Sequence, residues 1–291
     1  MTDLGICAVV VTYHPSADML ENIPRVLAQT QGLVVVDNGS DADELNRIRI
    51  ACQTLGFHLI ENRENLGIAE ALNQAIGWAR ANRYLWVILF DQDSKITENF
   101  VAHMLEAWES HPDRAHVCSI HPMYVHPETG LEQRVRRAAD GGPIVSITSG
   151  ALMPTWIFDK IGWFASEFFI DCVDIEYSFR IRAAGYLIAD SRKAVLLHAA
   201  GHPRKFSFLG FNFRPGHHSA ERYYYIARNR IAVYRKYLHV FPLWILRSIY
   251  EYFRDTVKWV IVEDNRARKI RNFLIGTWDG LLGRMGKREG L

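Results

Sequence analysis

The stretch that most constrains the fold is residues 85–94, LWVILFDQDS. A mostly apolar run leads directly into two carboxylates, Asp91 and Asp93. Such a run predicts a strand buried on both faces, which is typical of the centre of a parallel sheet. Because side chains alternate along a strand, both carboxylates are expected on the same side.

Two carboxylates at this spacing repel each other unless a cation lies between them. A divalent cation that also binds phosphate satisfies the pair, since Mg²⁺ takes one or two carboxylates together with substrate phosphates. The alternative is a polar turn in which Asp93 or Ser94 caps a helix that begins near residue 97. The neighbouring motifs favour the cation site.

Composition is that of an ordinary globular protein with a real core, at 291 residues, 49% hydrophobic and 23% charged. Four scattered cysteines without a C-x-x-C motif predict buried, reduced thiols and a cytoplasmic location. We expect no signal peptide, because residues 1–6 lack a basic region. No apolar run approaches the roughly 20 residues of a membrane span.

Charge divides the chain unevenly. Residues 221–291 carry 15 Lys and Arg against 7 Asp and Glu, whereas residues 1–220 carry 19 against 25. This asymmetry predicts two parts with different tasks: a catalytic domain over 1–220 and a basic helical extension over 221–291. Within the first part we expect a nucleotide half (1–95) and an acceptor half (96–220).

Strand and helix patterns alternate through the first 95 residues. Strands are predicted at 6–12, 33–36, 57–61 and 85–90, with helices between them, which predicts an α/β fold with a mostly parallel sheet. Ligands bind such sheets at the carboxyl ends of the strands. The polar residues at those ends are Thr12, Tyr13, Asp37, Asn65, Gly67, Asp91 and Asp93.

These residues predict a nucleotide site, although Asp37 could simply stabilise a turn and Asn65 could cap a helix. An Asp at a strand end can also accept hydrogen bonds from a base or a ribose. Neither G-x-G-x-x-G nor G-x-x-x-x-G-K-[ST] occurs, so a dinucleotide cofactor and P-loop chemistry are not supported.

The four motifs VVVTYHP, VVVDNGS, NLG-x-A-x-ALN and LFDQDS cover residues 6–94. Their order resembles the nucleotide-sugar half of family 2 inverting glycosyltransferases of the GT-A fold. The resemblance implies that Thr12 and Tyr13 flank the nucleotide and that Asp37 contacts the base. It further implies a base and ribose pocket, and a D-x-D motif that meets the ribose and an Mg²⁺ or Mn²⁺ ion. The residues implied there are Asn65 and Gly67 for the pocket, and Asp91 and Asp93 for the motif.

Residues 168–185 carry Asp171, Asp174 and Glu176 in an otherwise apolar segment. Inverting glycosyl transfer needs a carboxylate that takes the proton of the acceptor hydroxyl. The alternative for Glu176 is a structural i,i+4 pair with Arg180. By resemblance to the acceptor-side motif of the same family, Asp174 falls at the base; Val173 replaces the usual preceding acid, so the choice between Asp171 and Asp174 stays open.

Further along, residues 144–153 predict a strand with a close-packed Gly150. Residues 186–189 and 194–198 predict paired strands that end at His198, where the resemblance implies a position near the metal or the diphosphate. The loop with His202, Arg204 and Lys205 is expected to close over the donor.

The segments T-S-G-A-L-M, F-I-D-x-V-D-I-E and R-Y-Y-x-x-x-R-N resemble the rhamnosyltransferase branch of the family. This implies transfer of L-rhamnose from dTDP-L-rhamnose to a growing surface polysaccharide or lipid-linked glycan. Arg222 and Tyr224 join the predicted donor-binding residues, since basic and phenolic groups suit a diphosphate. Gly150 of the T-S-G-A-L-M segment is predicted to belong to the same set.

An amphipathic helix is predicted over 241–264, with basic residues interleaved as far as 271. One interpretation is a helix lying on the inner face of the cell membrane. The alternative is packing against the catalytic domain or a sister subunit in a homo-oligomer. No nucleic-acid recognition motif occurs.

Three other functions are alternatives to this prediction. A transferase of the same fold using another UDP- or GDP-sugar would share every motif through Asp93. A nucleotidyltransferase would need a Gly-rich basic loop near the first strand, which VTYHPSADM lacks. Asp174 and Glu176 argue against a binding protein without catalysis.

Overall fold

The computed structural model describes residues 5–16, 18–198 and 218–290, together with the backbone of two short strands between 206 and 213. The chain forms two compact units. The first combines Met1–Ser166 with Val173–Ala199, and the second combines Glu167–Cys172 with Ala200–Leu291. The domain boundary expected at residue 220 stays a prediction, and the loop with His202, Arg204 and Lys205 lies outside the described residues.

The first unit opens with alternating strands and helices: β1 (Ile6–Thr12), α1 (Asp18–Leu27), β2 (Gly32–Asp37), α2 (Ala42–Leu55), β3 (His58–Glu61), α3 (Ile68–Ala81) and β4 (Trp86–Asp91). The four strands are parallel, in the order β3-β2-β1-β4. β1 is buried along its whole length, and β4 is buried up to Phe90, because these two strands lie inside the sheet. The predicted α/β fold is confirmed.

The same sheet continues with antiparallel strands. Its further elements are β5 (Lys95–Ile96), α4 (Phe100–Glu109), β6 (Val117–Val125), β7 (Leu152–Pro154), α5 (Ile157–Ile161), α6 (Val173–Ala183) and β8 (Leu187–Leu197). The eight strands run β3-β2-β1-β4-β7-β6-β8-β5. β7 is antiparallel to both of its neighbours, β8 is parallel to β6, and β5 is antiparallel to β8.

Two strand predictions were wrong in extent. Only the last two residues of the predicted 144–153 strand belong to β7, because Gly150 has a φ of +82° and Ala151 closes a turn onto Thr148. The predicted pair at 186–189 and 194–198 is one strand, β8. The polar residues in the middle of β8 resemble a hairpin turn. The strand nevertheless continues through them, because its pairing register with β6 shifts there.

The second unit holds the strands β9 (Phe206–Phe208) and β10 (Phe211–Phe213), followed by the helices α7 (Ala220–Tyr237), α8 (Pro242–Val262) and α9 (Arg266–Leu282). Ser219 caps α7 by accepting from the backbone of Arg222 at 3.1 Å. α9 packs closely on α7 at Gly280, where a Cβ would lie 2.7 Å from the carbonyl oxygen of Arg228. The predicted amphipathic helix is confirmed as α8. Among the described residues no helix is both long and apolar enough to cross a membrane.

Candidate functional site

The polar strand ends of the first unit meet at one edge of the sheet. Thr12 lies opposite Asp37 in the β1–β2 register, and Val11 lies opposite Asp91 in the β1–β4 register. Tyr13 follows β1 and donates its backbone N–H to Gln92, inside the D-x-D turn, at 2.8 Å. The structure therefore brings the predicted nucleotide-side residues to a common edge.

Asp37 is fully buried and held by local donors. Its carboxylate accepts from the hydroxyl of Thr12 at 3.2 Å, and from the hydroxyl and backbone N–H of Ser40 at 2.5 and 3.0 Å. Gly39 adds a backbone N–H at 3.3 Å. These contacts support the turn-stabilising role of Asp37, and its predicted contact with a base stays a prediction.

An amide cluster joins the end of β2 to the 62–67 loop. Asn38 donates to Asn65 at 3.1 Å and to the carbonyl of Gly67 at 3.3 Å, and it accepts from Asn62 at 3.1 Å. Asn65 in turn accepts from the N–H of Gly67 at 2.9 Å. Sequence reasoning placed Asn65 and Gly67 here but missed Asn38, whose signal was its position directly after a buried strand.

The strongest candidate for a metal site is formed by Asp91, Asp93 and His198, whose ligand atoms lie within 4.8 Å of one another. His198 reaches this place because β5, just after the D-x-D motif, pairs with the end of β8. Its Nδ1 lies 3.9 Å from an oxygen of Asp93. That nitrogen is buried and makes no hydrogen bond within the described part of the chain. Two carboxylates and an imidazole fit Mg²⁺ or Mn²⁺.

A second potential cluster consists of His14, Asp41 and Glu44. Its groups satisfy each other: Glu44 accepts from the backbone of Asp41 at 3.2 Å and bonds His14 at 2.8 Å. The hydrogen bond with His14 lowers the pKa of Glu44. This cluster is therefore a hydrogen-bonded group at the start of α2, which makes it the weaker candidate for a metal site.

A buried hydroxyl network supports the D-x-D turn. Ser149 shares a 2.5 Å hydrogen bond with Ser94 and accepts from the backbone N–H of Asp91 at 3.3 Å. Tyr124 donates to the carbonyl of Ser149 at 3.0 Å. Sequence reasoning missed Ser149 and Tyr124, because their positions carry no local signal of contact with the D-x-D motif.

The charge of Asp174, the predicted base, affects the pKa of Tyr124 in this network. Burial raises the pKa of Tyr124, a hydrogen bond with Ser146 opposes the rise, and the charges of Asp91 and Asp174 add to it. Both carboxylates therefore act on one buried phenol. Asp174 lies in the first turn of α6 and accepts from the N–H of Ile175 at 2.8 Å.

Glu176 is fully buried and paired with Arg180, which confirms the structural i,i+4 pair. Arg180 also donates to the carbonyls of Ile161 at 3.2 Å and Trp163 at 2.6 Å. These hydrogen bonds hold α6 against the C-terminal end of α5. The role of Asp174, the other carboxylate of α6, as the base stays a prediction.

Several predicted residues have structural contacts. In the second unit, Asp171 forms a two-point ion pair with Arg222, at 3.1 and 3.2 Å. Tyr224 is buried and donates to Asp279 at 2.9 Å, which favours a structural role over contact with a diphosphate. In the first unit, a Cβ on Gly150 would lie 2.7 Å from Pro122, so this glycine permits close packing.

The R-N pair of the R-Y-Y-x-x-x-R-N segment also has a structural role. Asn229 donates to the carbonyls of Phe168, Ile170 and Asp171 at 2.8, 2.7 and 2.9 Å. The fully buried Arg228 donates to the carbonyls of residues 167 and 168. We call these two residues the Arg228–Asn229 clamp. It holds three non-glycine residues at positive φ, namely Phe169, Asp171 and Cys172.

Comparison with known proteins identifies the class that this sheet and acidic edge define. Residues 7–150 match the family model described as glycosyl transferase family 2. The chain is a glycosyltransferase of family 2 with the GT-A fold, and the predicted family is confirmed.

A curated relative, the dTDP-rhamnosyl transferase RfbF of Shigella flexneri, is 28% identical over 97% of each chain. Among solved structures, the mannosyltransferase PcManGT of Pyrobaculum calidifontis, in complex with GDP-Man and Mn²⁺, superposes with a TM-score of 0.58. It is 15% identical and matches over 96% of this chain and 88% of its own. GalNAc-T7 with UDP, GalNAc and Mn²⁺ gives 0.57 at 12% identity. That match covers 78% of this chain, which spans only 51% of that protein.

Proposed function

We propose that this protein is an inverting, metal-dependent glycosyltransferase that moves L-rhamnose from dTDP-L-rhamnose to a growing surface polysaccharide or lipid-linked glycan. The observation that carries the metal-dependent part is the convergence of Asp91, Asp93 and His198. The buried Nδ1 of His198, which has no hydrogen-bond partner among the described residues, supports a cation at this point. Mn²⁺ in the structural neighbours agrees with it.

The candidate site residues of the first unit have defined roles in this proposal. Asp91, Asp93 and His198 would hold a divalent cation, which supplies positive charge for the departing diphosphate. Asp174 accepts the proton of the acceptor hydroxyl as its oxygen attacks the anomeric carbon. Thr12, Tyr13, Asn65 and Gly67 lie at the sheet edge where a nucleotide binds in such folds.

The donor sugar is proposed from similarity. The rhamnosyl transferase relative aligns over nearly the whole of both chains, and the acceptor-side segments resemble the same branch. Structural neighbours bound to GDP-Man or UDP use other donors. The donor must therefore be measured.

A calorimetric and thermal-shift panel with Mg²⁺ or Mn²⁺ tests the donor. It compares dTDP-L-rhamnose, dTDP, UDP-glucose, UDP-galactose, GDP-mannose and ATP, because a ligand of the native state raises the apparent stability. Metal-dependent preference for dTDP and dTDP-L-rhamnose is expected. Preference for a UDP- or GDP-sugar would discard rhamnose, and a response to ATP alone would contradict the transferase proposal.

The stereochemical outcome is a separate measurement. NMR of the product of a dTDP-L-rhamnose reaction should show an anomeric configuration opposite to that of the donor. Retention of configuration would contradict the role of Asp174 as a base that activates the acceptor.

A further inference from the structure

Helix α8 has two apolar faces, and the described residues of the second unit cover only one of them. Ile245, Ser248 and Trp259 are buried, and Trp259 stacks on Tyr223 of α7 with ring centroids 4.3 Å apart. This inner face accounts for the attachment of α8 to its unit. It does not account for the apolar residues on the outer face.

The outer face carries seven exposed apolar side chains, which we call the α8 stripe. At 100° per residue they fall within an arc of about 120° along the whole helix. Exposure is high, reaching 83% at Leu243 and 68% at Phe253. Monomeric proteins rarely expose continuous apolar patches of this kind without a binding role. The α8 stripe consists of Leu243, Leu246, Ile249, Tyr250, Phe253, Val257 and Ile261.

Basic residues border one side of the α8 stripe. Arg247, Arg254 and Lys258 occupy roughly the next 60° of the helix surface. The acids that pair with them lie further round, where Glu251 accepts from Arg247 at 3.1 Å and Asp255 accepts from Lys258 at 2.9 Å. The cationic groups therefore lie between the apolar stripe and the acids. They also belong to the part of the chain with 15 basic and 7 acidic residues.

We propose that the α8 stripe lies in the headgroup region of an anionic lipid bilayer. The apolar side chains would enter the acyl boundary, and the bordering Arg and Lys side chains would contact lipid phosphates. Long basic side chains suit this position, since their stems pack on apolar surface while their charges stay in the headgroup layer. The helix would lie parallel to the membrane plane because its charged side faces water.

Charge distinguishes this occupant from a second copy of the chain. In an antiparallel two-fold pairing of α8 through its stripe, the row of Arg247 and Arg254 would face the same row of the other copy. In a parallel pairing, these arginines would lie against the apolar Ile249 of the other helix. Glu251 pairs with Arg247 and Asp255 pairs with Arg254, so two acids offset only part of the charge of this row of three cations. Either arrangement sets a net positive row against like charge or apolar surface, whereas anionic headgroups add negative charge.

Flotation of the full-length protein with vesicles tests the proposal. Vesicles of phosphatidylcholine are compared with vesicles that also contain phosphatidylglycerol. Wild type is expected to bind the mixed vesicles, and Leu246→Asp and Phe253→Asp should each weaken binding about tenfold or more. The matched control is Leu131→Asp in the first unit, an isolated leucine that is 66% exposed and should leave binding unchanged.

The charge requirement is tested by Arg254→Gln. This change should weaken binding to the mixed vesicles roughly fivefold, because each basic residue near the surface adds a similar attraction to anionic lipid. The α8 residues are exposed, and unchanged thermal unfolding will show that the variants fold.

Absence of vesicle binding by folded wild type overturns the proposal, as does equal loss in Leu131→Asp. A wild-type dimer in light scattering that Phe253→Asp dissociates would assign the stripe to a second copy instead. Donor binding without vesicles is independent of this result, so the proposed function and the membrane surface can fail separately.

Discussion

At the scale of single residues, the proposed chemistry depends on a few carboxylates whose surroundings differ. Glu176 and Asp37 are fully buried and bonded to neighbouring groups, so their charges are compensated inside the protein. Asp171 is paired with Arg222 within the second unit. Asp174, the proposed base, lies in the first turn of α6.

Asp174→Asn should reduce kcat by a factor of about 10² to 10⁴, because the amide cannot accept the proton of the acceptor hydroxyl. The affinity for the nucleotide-sugar should stay unchanged, as measured by calorimetry. Asp171→Asn is the comparison, since it tests the other carboxylate that the sequence left open. Loss of turnover in Asp171→Asn with normal turnover in Asp174→Asn would reassign the base.

Asp93→Asn and His198→Ala should each weaken Mn²⁺ binding at least about tenfold, because each removes one ligand or its charge. Electron paramagnetic resonance of free Mn²⁺ measures this without turnover. Asp41→Asn is the matched control, since it alters the self-satisfied cluster at the start of α2. Equal loss of Mn²⁺ in the control would place the metal elsewhere.

At the scale of elements, the turns that follow the strands depend on backbone conformation and close packing. Gly39 has a φ of +90°, and a Cβ there would lie 2.6 Å from the backbone of Glu64. Gly56 has a similar φ of +75°, but a Cβ there meets nothing within 4 Å. Comparing alanine substitutions at the two glycines therefore distinguishes the cost of a positive φ from the cost of steric overlap.

Gly56→Ala should lower the free energy of unfolding by about 1–2 kcal/mol, the cost of positive φ for a residue with a Cβ. Gly39→Ala should cost about 1–3 kcal/mol more, because overlap adds to the strain. Urea unfolding of both variants measures the difference. Equal values for the two would show that the 62–67 loop moves aside freely.

In the second unit, the Arg228–Asn229 clamp stabilises a backbone segment that has positive φ at non-glycine residues. Asn229→Ala should lower the free energy of unfolding by about 2–4 kcal/mol, since it removes donors to three carbonyls and releases a strained segment. Asn272→Ala is the control, because Asn272 is also buried but its Nδ2 has no partner in the described residues. Equal losses in urea unfolding would reject the clamp.

At the scale of the whole molecule, acid stability should depend on His121. Its imidazole is buried between Ser119 and Tyr124, and burial lowers its pKa to about 3, although Asp190 opposes the change. The unfolded chain binds a proton near pH 6.5 and the folded chain does not. Stability is therefore fully present above pH 6.5 and is lost as pH falls toward 3.

Between pH 7 and pH 5, this single group should reduce the free energy of unfolding by about 2 kcal/mol. His121→Gln should remove most of that dependence, whereas His239→Gln, at an exposed position, should not. Urea unfolding at the two pH values measures the slope. A slope that His121→Gln leaves unchanged would assign acid sensitivity to other groups.

Much of the first unit could be predicted from its sequence, since β1, β2 and β4 are nearly continuous apolar runs followed by polar residues. The strand ends and the D-x-D motif follow from this local pattern. The middle of the chain was harder. The strand predicted over 144–153 was too long, because the positive φ of Gly150 has no local signature in the sequence. β8 was predicted as two strands, because a register shift against a distant strand has none either.

The sequence by itself determined the α/β class, the family, the acidic edge and the amphipathic α8, because apolar periodicity and motif order are local properties of the chain. The resemblance placed His198 near the metal, and the pairing of β5 with β8 gives the physical reason. Only the tertiary structure decided that Ser149 and Tyr124 support the D-x-D turn, and which face of α8 stays uncovered among the described residues. Contacts between residues distant in sequence depend on strand register and helix packing. These follow from how all the elements fit together, which no single segment encodes.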